Sequence, residues 1–528
     1  MKSLAGTGPL VRFALRRDRL VLPLWVFAVS IVPLATVSAF KSLYPTAASL
    51  ESAIVGFGGN PAFRTMFGPV FAPNLGALVV WRASIALIIV GVISLLSVIR
   101  HTRVEEETGR RELVGSTVVG RHAPLAAALI LVAAADLVVG VVVAIGLAGQ
   151  GLPLGGSVAF GIQLAVGGIV FAAVGALAAQ LTETAGMARA IGLSVVGLAY
   201  ALRAAGDAGE IAVLSWASPI GWVQRLRPYA DEQWWVLLLA AALIGAATAF
   251  AFALSARRDV GGGVLRPRLG PSTASPRLGS PLGLAWRIHR GLLVGWTAGL
   301  AALGAIYGSV AQGVGDLLAE NPDLADIFER IGGSGKLIDL YLASVVGVIS
   351  LFAAAYAVQA ALRLRVEEES MRAEPVLATS VDRGQWLTSH LVFALGGPAV
   401  ALAAGGLAIG FTYGAVSGDV AGQALRGLGA GMVRLPAVWV LVAIVVALFG
   451  VLPRLTGLGW AMYGTVVFIT FIGAILQLGQ WFMDLSPFTH VPALPAADLV
   501  LKPLALLIVV AAVLIGGGFT GLRRRDIG

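Results

Sequence analysis

Twelve separate stretches of this chain are apolar for long enough to cross a lipid bilayer, and that limits its fold more than any motif does. They lie near 20–40, 76–99, 123–148, 157–181, 189–214, 234–256, 291–311, 339–362, 389–413, 432–453, 457–478 and 499–522. A helix of about 20 residues matches the hydrocarbon core, and a helix satisfies its own backbone where no water reaches. Composition agrees. Of 528 residues 58% are hydrophobic and 12% charged, too little polar surface for a soluble body of that size. The expected fold class is an all-α polytopic membrane protein with about twelve transmembrane helices. The first run can span, and no small-residue cleavage pattern closes it, so it is expected to remain as the first helix. The run at 189–214 is interrupted by Arg203, Asp207 and Glu210, which leaves its outer end undefined.

Charge placement sets the orientation. The net charge of +9 comes from basic residues gathered at the ends of apolar runs, a topology signal that argues against nucleic acid as a partner. Arg12, Arg16, Arg17 and Arg19 precede the first run, and Arg100, Arg103, Arg110, Arg111 and Arg121 follow the second. Arg257 and Arg258 follow the sixth, Arg363, Arg365, Arg372 and Arg383 the eighth, and Arg523, Arg524 and Arg525 close the chain. In a twelve-span layout all lie on one side, which the positive-inside rule makes cytoplasmic. The expectation is a multi-pass membrane protein with both termini in the cytoplasm. Cysteine is absent, which excludes disulfides and thiolate chemistry.

The halves repeat. Arg103-Val-Glu-Glu-Glu-Thr108 recurs as Arg365-Val-Glu-Glu-Glu-Ser370 at an offset of 262, where Glu112 meets Glu374 and Arg121 meets Arg383. Arg257-Arg-Asp-Val-Gly261 recurs as Arg524-Arg-Asp-Ile-Gly528 at 267, and Ser218-Pro219 as Ser486-Pro487 at 268. Arg16, Arg19 and Trp25 match Arg287, Arg290 and Trp296 at 271. The expected organisation is a six-helix half over 1–260, a cytoplasmic linker over 261–281 and a second six-helix half over 282–528. An even number of spans in each half makes the repeats parallel.

The loop after the second run is polar, with a Gly turn at Gly109 and an amphipathic stretch behind it. Glu107-Thr-Gly-Arg-Arg-Glu-Leu-Val-Gly-Ser-Thr-Val-Val-Gly-Arg121 resembles the corresponding loop of ABC-2-type permeases. There an acidic residue and Gly precede Glu-Leu, a Thr and a closing Arg. The second copy keeps Glu369, Glu374, Thr379 and Arg383 but carries Met371 for the Gly and Pro375 for the Leu. The fused arrangement is similar to actinobacterial permeases that export polyketide antibiotics and other drugs. The resemblance implies the membrane subunit of an ATP-driven exporter, with two copies of a soluble nucleotide-binding ATPase as partners. It implies that the first loop meets one ATPase copy through Glu105, Glu106, Glu107, Gly109, Arg110, Glu112, Leu113, Thr117 and Arg121. It implies the same for Glu367, Glu368, Glu369, Arg372, Glu374, Val376, Thr379 and Arg383 of the second loop.

No cofactor is expected on this chain; ATP and Mg belong to the partner. The nearest approach to a phosphate-binding loop, Gly332-Gly-Ser-Gly-Lys336, has Leu337 where a hydroxyl residue is required and Arg330 at the first Gly position. The segments 10–20 and 284–293 mix Arg with apolar residues and read as interfacial elbow helices. The Pro- and aromatic-rich segments 216–235 and 479–503 read as elements dipping into the outer leaflet.

The cargo expected from apolar spans is hydrophobic or amphiphilic, with Tyr200, Phe352, Tyr356, Tyr463 and Phe468 as candidate lining. The alternative is an ion-coupled carrier of the major facilitator type, since Glu106-Glu-Thr-Gly-Arg-Arg111 approximates that family's loop signature. Carriers of that kind need titratable groups at membrane depth. Asp136 is such a group, and its expected role is structural, pairing with a neighbouring helix or lying near the outer surface. No histidine has metal-ligand spacing, so an integral membrane enzyme lacks its chemistry.

Overall fold

The computed structural model describes residues 2–59, 61–115, 118–259, 261–265, 272–320, 337–470 and 479–525. Among them the chain is helical without strands, and eleven helices are long and apolar enough to cross a membrane. The remaining expected span, 457–478, is described only as a helix over Leu458–Phe468, and its part beyond 470 lies outside the described residues. So does the 332–336 segment. The chain divides into two compact units, Met1–Gly270 and Pro271–Gly528.

The first unit opens with α1 (Thr7–Arg17), α2 (Val21–Leu43), α3 (Ala47–Gly59), α4 (Pro61–Phe67) and α5 (Leu75–Arg82). The expected second span is displaced toward the loop. Asn74 caps α5 by accepting from the Ala77 amide at 2.8 Å, and the spanning helix starts only at Ser84. This helix, α6, is α-helical over Ser84–Ile99, passes through a π-helical turn at Arg100–Val104 and ends with Glu105–Glu107. There follow α7 (Arg110–Gly115), α8 (Ala123–Gly149), α9 (Leu154–Leu181), α10 (Ala185–Ala208), α11 (Ala212–Trp216), α12 (Pro219–Gln224) and α13 (Val236–Arg257).

The most buried span of this unit is α9, with 72% of its apolar window enclosed. Small residues permit that. A β-carbon on Gly140 of α8 would stand 2.5 Å from the carbonyl oxygen of Gly161 on α9, so these two backbones touch. Asp136 is fully buried beside them, and its Oδ1 accepts from Ser94 Oγ of α6 at 2.7 Å. Its place is between helices, as the pairing expectation holds.

The second unit contains α14 (Pro281–Glu320), α15 (Leu337–Glu369), α16 (Ala373–Leu377), α17 (Arg383–Ser417), α18 (Val420–Val433) and α19 (Leu435–Val451). It closes with α20 (Leu458–Phe468), α21 (Gln480–Met483) and α22 (Leu501–Arg524). The two elbows differ. In the first unit α1 is separate, because the chain leaves the helix at Asp18, whose carboxylate holds Arg100 and His101 at 2.8 Å each. In the second unit the expected elbow over 284–293 is the opening of the unbroken α14. The residue matching Asp18 there is His289, whose Nε2 lies 2.9 Å from His390 Nδ1, an imidazole where the first unit has a carboxylate.

The Ser-Pro corners expected from the repeat are buried helix caps. Ser218 and Ser486 are both fully enclosed, and their hydroxyls accept from the Gly221 and Phe488 amides. After the first corner Tyr229 adopts a left-handed backbone, with its hydroxyl 2.8 Å from Ser157 Oγ. Burial pushes that phenol up to about 12.

Candidate functional site

The repeated acidic run forms the end of a spanning helix in both units, and what surrounds it is also repeated. Glu106 is enclosed, with its side chain 1% exposed. Arg258, just beyond α13, grips it bidentately at 2.7 and 2.8 Å, and Arg103 one turn back binds it at 2.6 Å. Arg111 of α7 pairs with the same carboxylate. Arg103 also donates to the carbonyls of Ala179 at 3.0 Å and Gly262 at 2.8 Å, and to that of Thr182. A forked guanidinium on a carboxylate is the strongest ordinary form of ion pair, and burial leaves no water to replace it.

The second unit repeats the arrangement. Glu368 corresponds to Glu106, Arg365 to Arg103 and Arg525 to Arg258. Arg525 grips Glu368 at 2.6 and 2.9 Å, and Arg365 approaches at 3.3 Å. The closing Arg of each loop completes the figure. Arg121 donates to the carbonyls of Ser255 at 3.0 Å and Arg258 at 2.7 Å. Its counterpart Arg383 donates to those of Leu522 at 3.3 Å and Arg525 at 2.6 Å. Leu522 corresponds to Ser255, so the same two carbonyls are used. They are the unsatisfied acceptors at a helix C-terminus, where a cation is favoured. Each loop is therefore tied to the end of its unit's last span at two points.

The neighbours divide into shared and private contacts. Glu105 takes Arg17 of α1 at 2.7 Å and Arg110 at 3.5 Å. Its counterpart Glu367 takes Arg372, the match of Arg110, also at 3.5 Å, but its close partner is Arg363 at 2.8 Å. Without an elbow, the second unit supplies that cation from its own α15. Glu107 is exposed and accepts from the Ala185 amide at the start of α10 at 2.8 Å, whereas Glu369 pairs with Arg365 at 2.9 Å. Burial together with Arg258, Arg103 and Arg121 pushes Arg111 down to about 10.

The expected partner-contact residues thus separate by exposure. Glu107, Arg110, Glu112, Glu369, Arg372, Glu374 and Thr379 are on the surface. Glu106, Glu367 and Glu368 have their carboxylates inside the fold, which leaves them no docking face, and Val376 packs against the second unit's core. Gly109 makes a left-handed turn with φ of 70°. Thr117 and the side chain of Leu113 lie outside the described residues. Arg258 and Arg525 were legible only as repeated helix-end charges. The sign of their role is that they recur in both halves, at an offset of 267 against 262 for the acidic run.

Of the candidate cargo residues, Tyr200 lies in the first unit, and Phe352, Tyr356, Tyr463 and Phe468 lie in the second, where Tyr463 packs against the core cluster that contains Tyr356. Tyr200 donates to the Met66 carbonyl at 3.3 Å in the first unit. In the second, Tyr356 is fully buried and donates to the Phe393 carbonyl at 3.1 Å, a packing position closed to cargo. Phe352 and Phe468 are about two-fifths exposed, at 41% and 40%, and Tyr463 is half-buried. Among the described residues no group of three or more His, Asp or Glu could hold a metal ion.

Comparison with known proteins places this architecture. Residues 278–523 match the family described as multidrug efflux system permease Rv1217c, C-terminal domain. Over 524 residues the chain is 45% identical to the multidrug efflux system permease protein Rv1217c of Mycobacterium tuberculosis, covering 99% of this chain and 95% of that one. Likeness of that extent, running through both halves and both charged loops, makes this chain a member of the Rv1217c family of multidrug efflux system permeases.

Proposed function

We propose that the chain is the membrane subunit of an ATP-driven exporter that moves hydrophobic or amphiphilic compounds, such as antibiotics, drugs or lipids, out of a bacterial cell. The observation that carries this reading is the near full-length likeness to a protein named a multidrug efflux system permease. Two copies of a soluble nucleotide-binding ATPase dock on the exposed faces of the two loops. ATP and Mg are bound there, and this chain has no ATPase site of its own. Both termini and both loops lie in the cytoplasm, and the membrane is the plasma membrane. The repeated cages of Glu106 and Glu368 support a coupling role, since each joins a loop to a spanning helix through buried ion pairs. The major facilitator alternative finds no support in the comparisons.

The test is to purify the chain from its native membrane in mild detergent and identify what remains bound. A stoichiometric subunit carrying a phosphate-binding loop is the expected result. A monodisperse chain without one would overturn the reading and return attention to Asp136 as a proton carrier.

A further inference from the structure

The separate elbow of the first unit creates a cleft. Leu10, Phe13 and Ala14 of α1 and Leu125 of α8 line its apolar wall, while Arg17, Arg110 and Arg111 stand at its polar edge with Glu105 and Glu106. Phe13 is 61% exposed, on a helix whose Arg12 and Arg16 are also exposed. Such a helix rests on a bilayer surface with its apolar residues among acyl chains.

The charge around the cleft is unbalanced. Of the cleft's lining, Arg17, Arg110 and Arg111 face Glu105 and Glu106, and among the described residues the connected ion-pair network adds Arg100, Arg103 and Arg258 against Asp18. His101 sits inside that network against Asp18. The Arg110 side chain is 62% exposed and reaches Glu105 only at 3.5 Å, a carboxylate that Arg17 already holds at 2.7 Å. The Nε of Arg17 is buried with no hydrogen-bond acceptor among the described residues. Burial is the first cause of the downward push on Arg111, and the neighbouring guanidiniums of Arg258, Arg103 and Arg121 add to it. An anion with an apolar body would answer both the unspent donors and the apolar wall.

We propose that this cleft binds one anionic phospholipid from the leaflet on the loop's side of the membrane. Its phosphate meets Arg110 and Arg17, and the upper part of an acyl chain lies along Leu10, Phe13, Ala14 and Leu125. In the second unit the cavity at the corresponding place is lined by Ile288, His289, Leu292, Arg363 and Arg454 along the unbroken α14, without a separate elbow helix. One lipid is expected in the first unit's cleft.

Native mass spectrometry of the detergent-purified full chain tests this, with phosphatidylglycerol or phosphatidylcholine added as the probe. The wild type should retain one phosphatidylglycerol, at least about fivefold more tightly than phosphatidylcholine, as one or two cations at an anionic headgroup would give. Arg110→Gln, which removes a headgroup contact, and Ala14→Trp, which fills the apolar wall, should each abolish the preference. If one variant misfolds the other decides. Equal retention of the two lipids by the wild type would overturn the proposal, as would full preference in a folded variant. Displacement of the lipid by inorganic phosphate would also overturn it, by making the cleft a soluble-anion site. The measurement needs no ATPase, so its failure leaves the export reading untouched.

Discussion

Gly109 and Met371 occupy the same turn of the repeat, and both take a left-handed backbone, with φ of 70° and 55°. A β-carbon in that region costs about 1 kcal/mol or more. Nothing lies within 4 Å of a β-carbon added to Gly109, so Gly109→Ala isolates the backbone term. It should destabilise the first unit by about 1 kcal/mol, read as a lowered melting temperature in detergent. Met371→Gly should leave stability unchanged or raise it. An unaffected Gly109→Ala protein would show that the turn does not hold this conformation. A larger loss is expected from Glu106→Gln. Removing that charge leaves Arg103 and Arg258 enclosed without their counter-ion, at a cost of about 3 kcal/mol. Glu107→Gln alters an exposed cap and should cost no more than about 1 kcal/mol. Equal melting temperatures for the two variants would contradict the cage.

At the scale of helices, packing through small residues makes its own prediction. Gly140→Ala would press a methyl group against the Gly161 carbonyl and part α8 from α9. Gly197 on α10 faces open space, so Gly197→Ala should stabilise its helix by up to about 1 kcal/mol. Opposite shifts in melting temperature are the expected outcome, and a stabilising Gly140→Ala would refute the close approach. Most spans could be read directly, because an apolar run long enough for lipid has few alternatives. Their ends were harder. The run at 76–99 hid a break at Ala83, because the separate helix that Asn74 caps is itself mostly apolar and runs into the span without a polar gap longer than Arg82. The second elbow was misread for a related reason. The Arg and Trp landmarks repeat at 287–296, but the turn itself depends on the single carboxylate of Asp18, which the second half replaces with His289. The acidic triplets looked like surface because charge usually is. Their burial depends on Arg258 and Arg525, more than 150 residues away in sequence, and a contact at that separation leaves no local pattern.

Across the whole chain, each charged loop has an exposed face and a buried root, and the two should fail differently. Glu112 and Glu374 are repeat partners at the starts of α7 and α16, both exposed. Reversing them to Lys should cost each short helix no more than about 1 kcal/mol through its dipole, so the protein should still insert and melt normally. If the loops receive the ATPase, Glu112→Lys should weaken retention of that subunit about tenfold, the scale of one lost charged contact, and export should fall with it. Glu374→Lys should do less, because Met371 and Pro375 already set the second loop apart from the first. The root behaves in the opposite way. Arg525→Gln frees the end of α22 from Glu368 and Arg383 from an ordered helix end, while the exposed face is unchanged. The ATPase should then remain bound and hydrolyse ATP, with export lost because the loop no longer pulls on the last span. Co-purification and cargo efflux measured on the same preparations separate these cases. Normal efflux in Arg525→Gln would remove the cage from the coupling path, and normal ATPase retention in Glu112→Lys would move the docking face elsewhere.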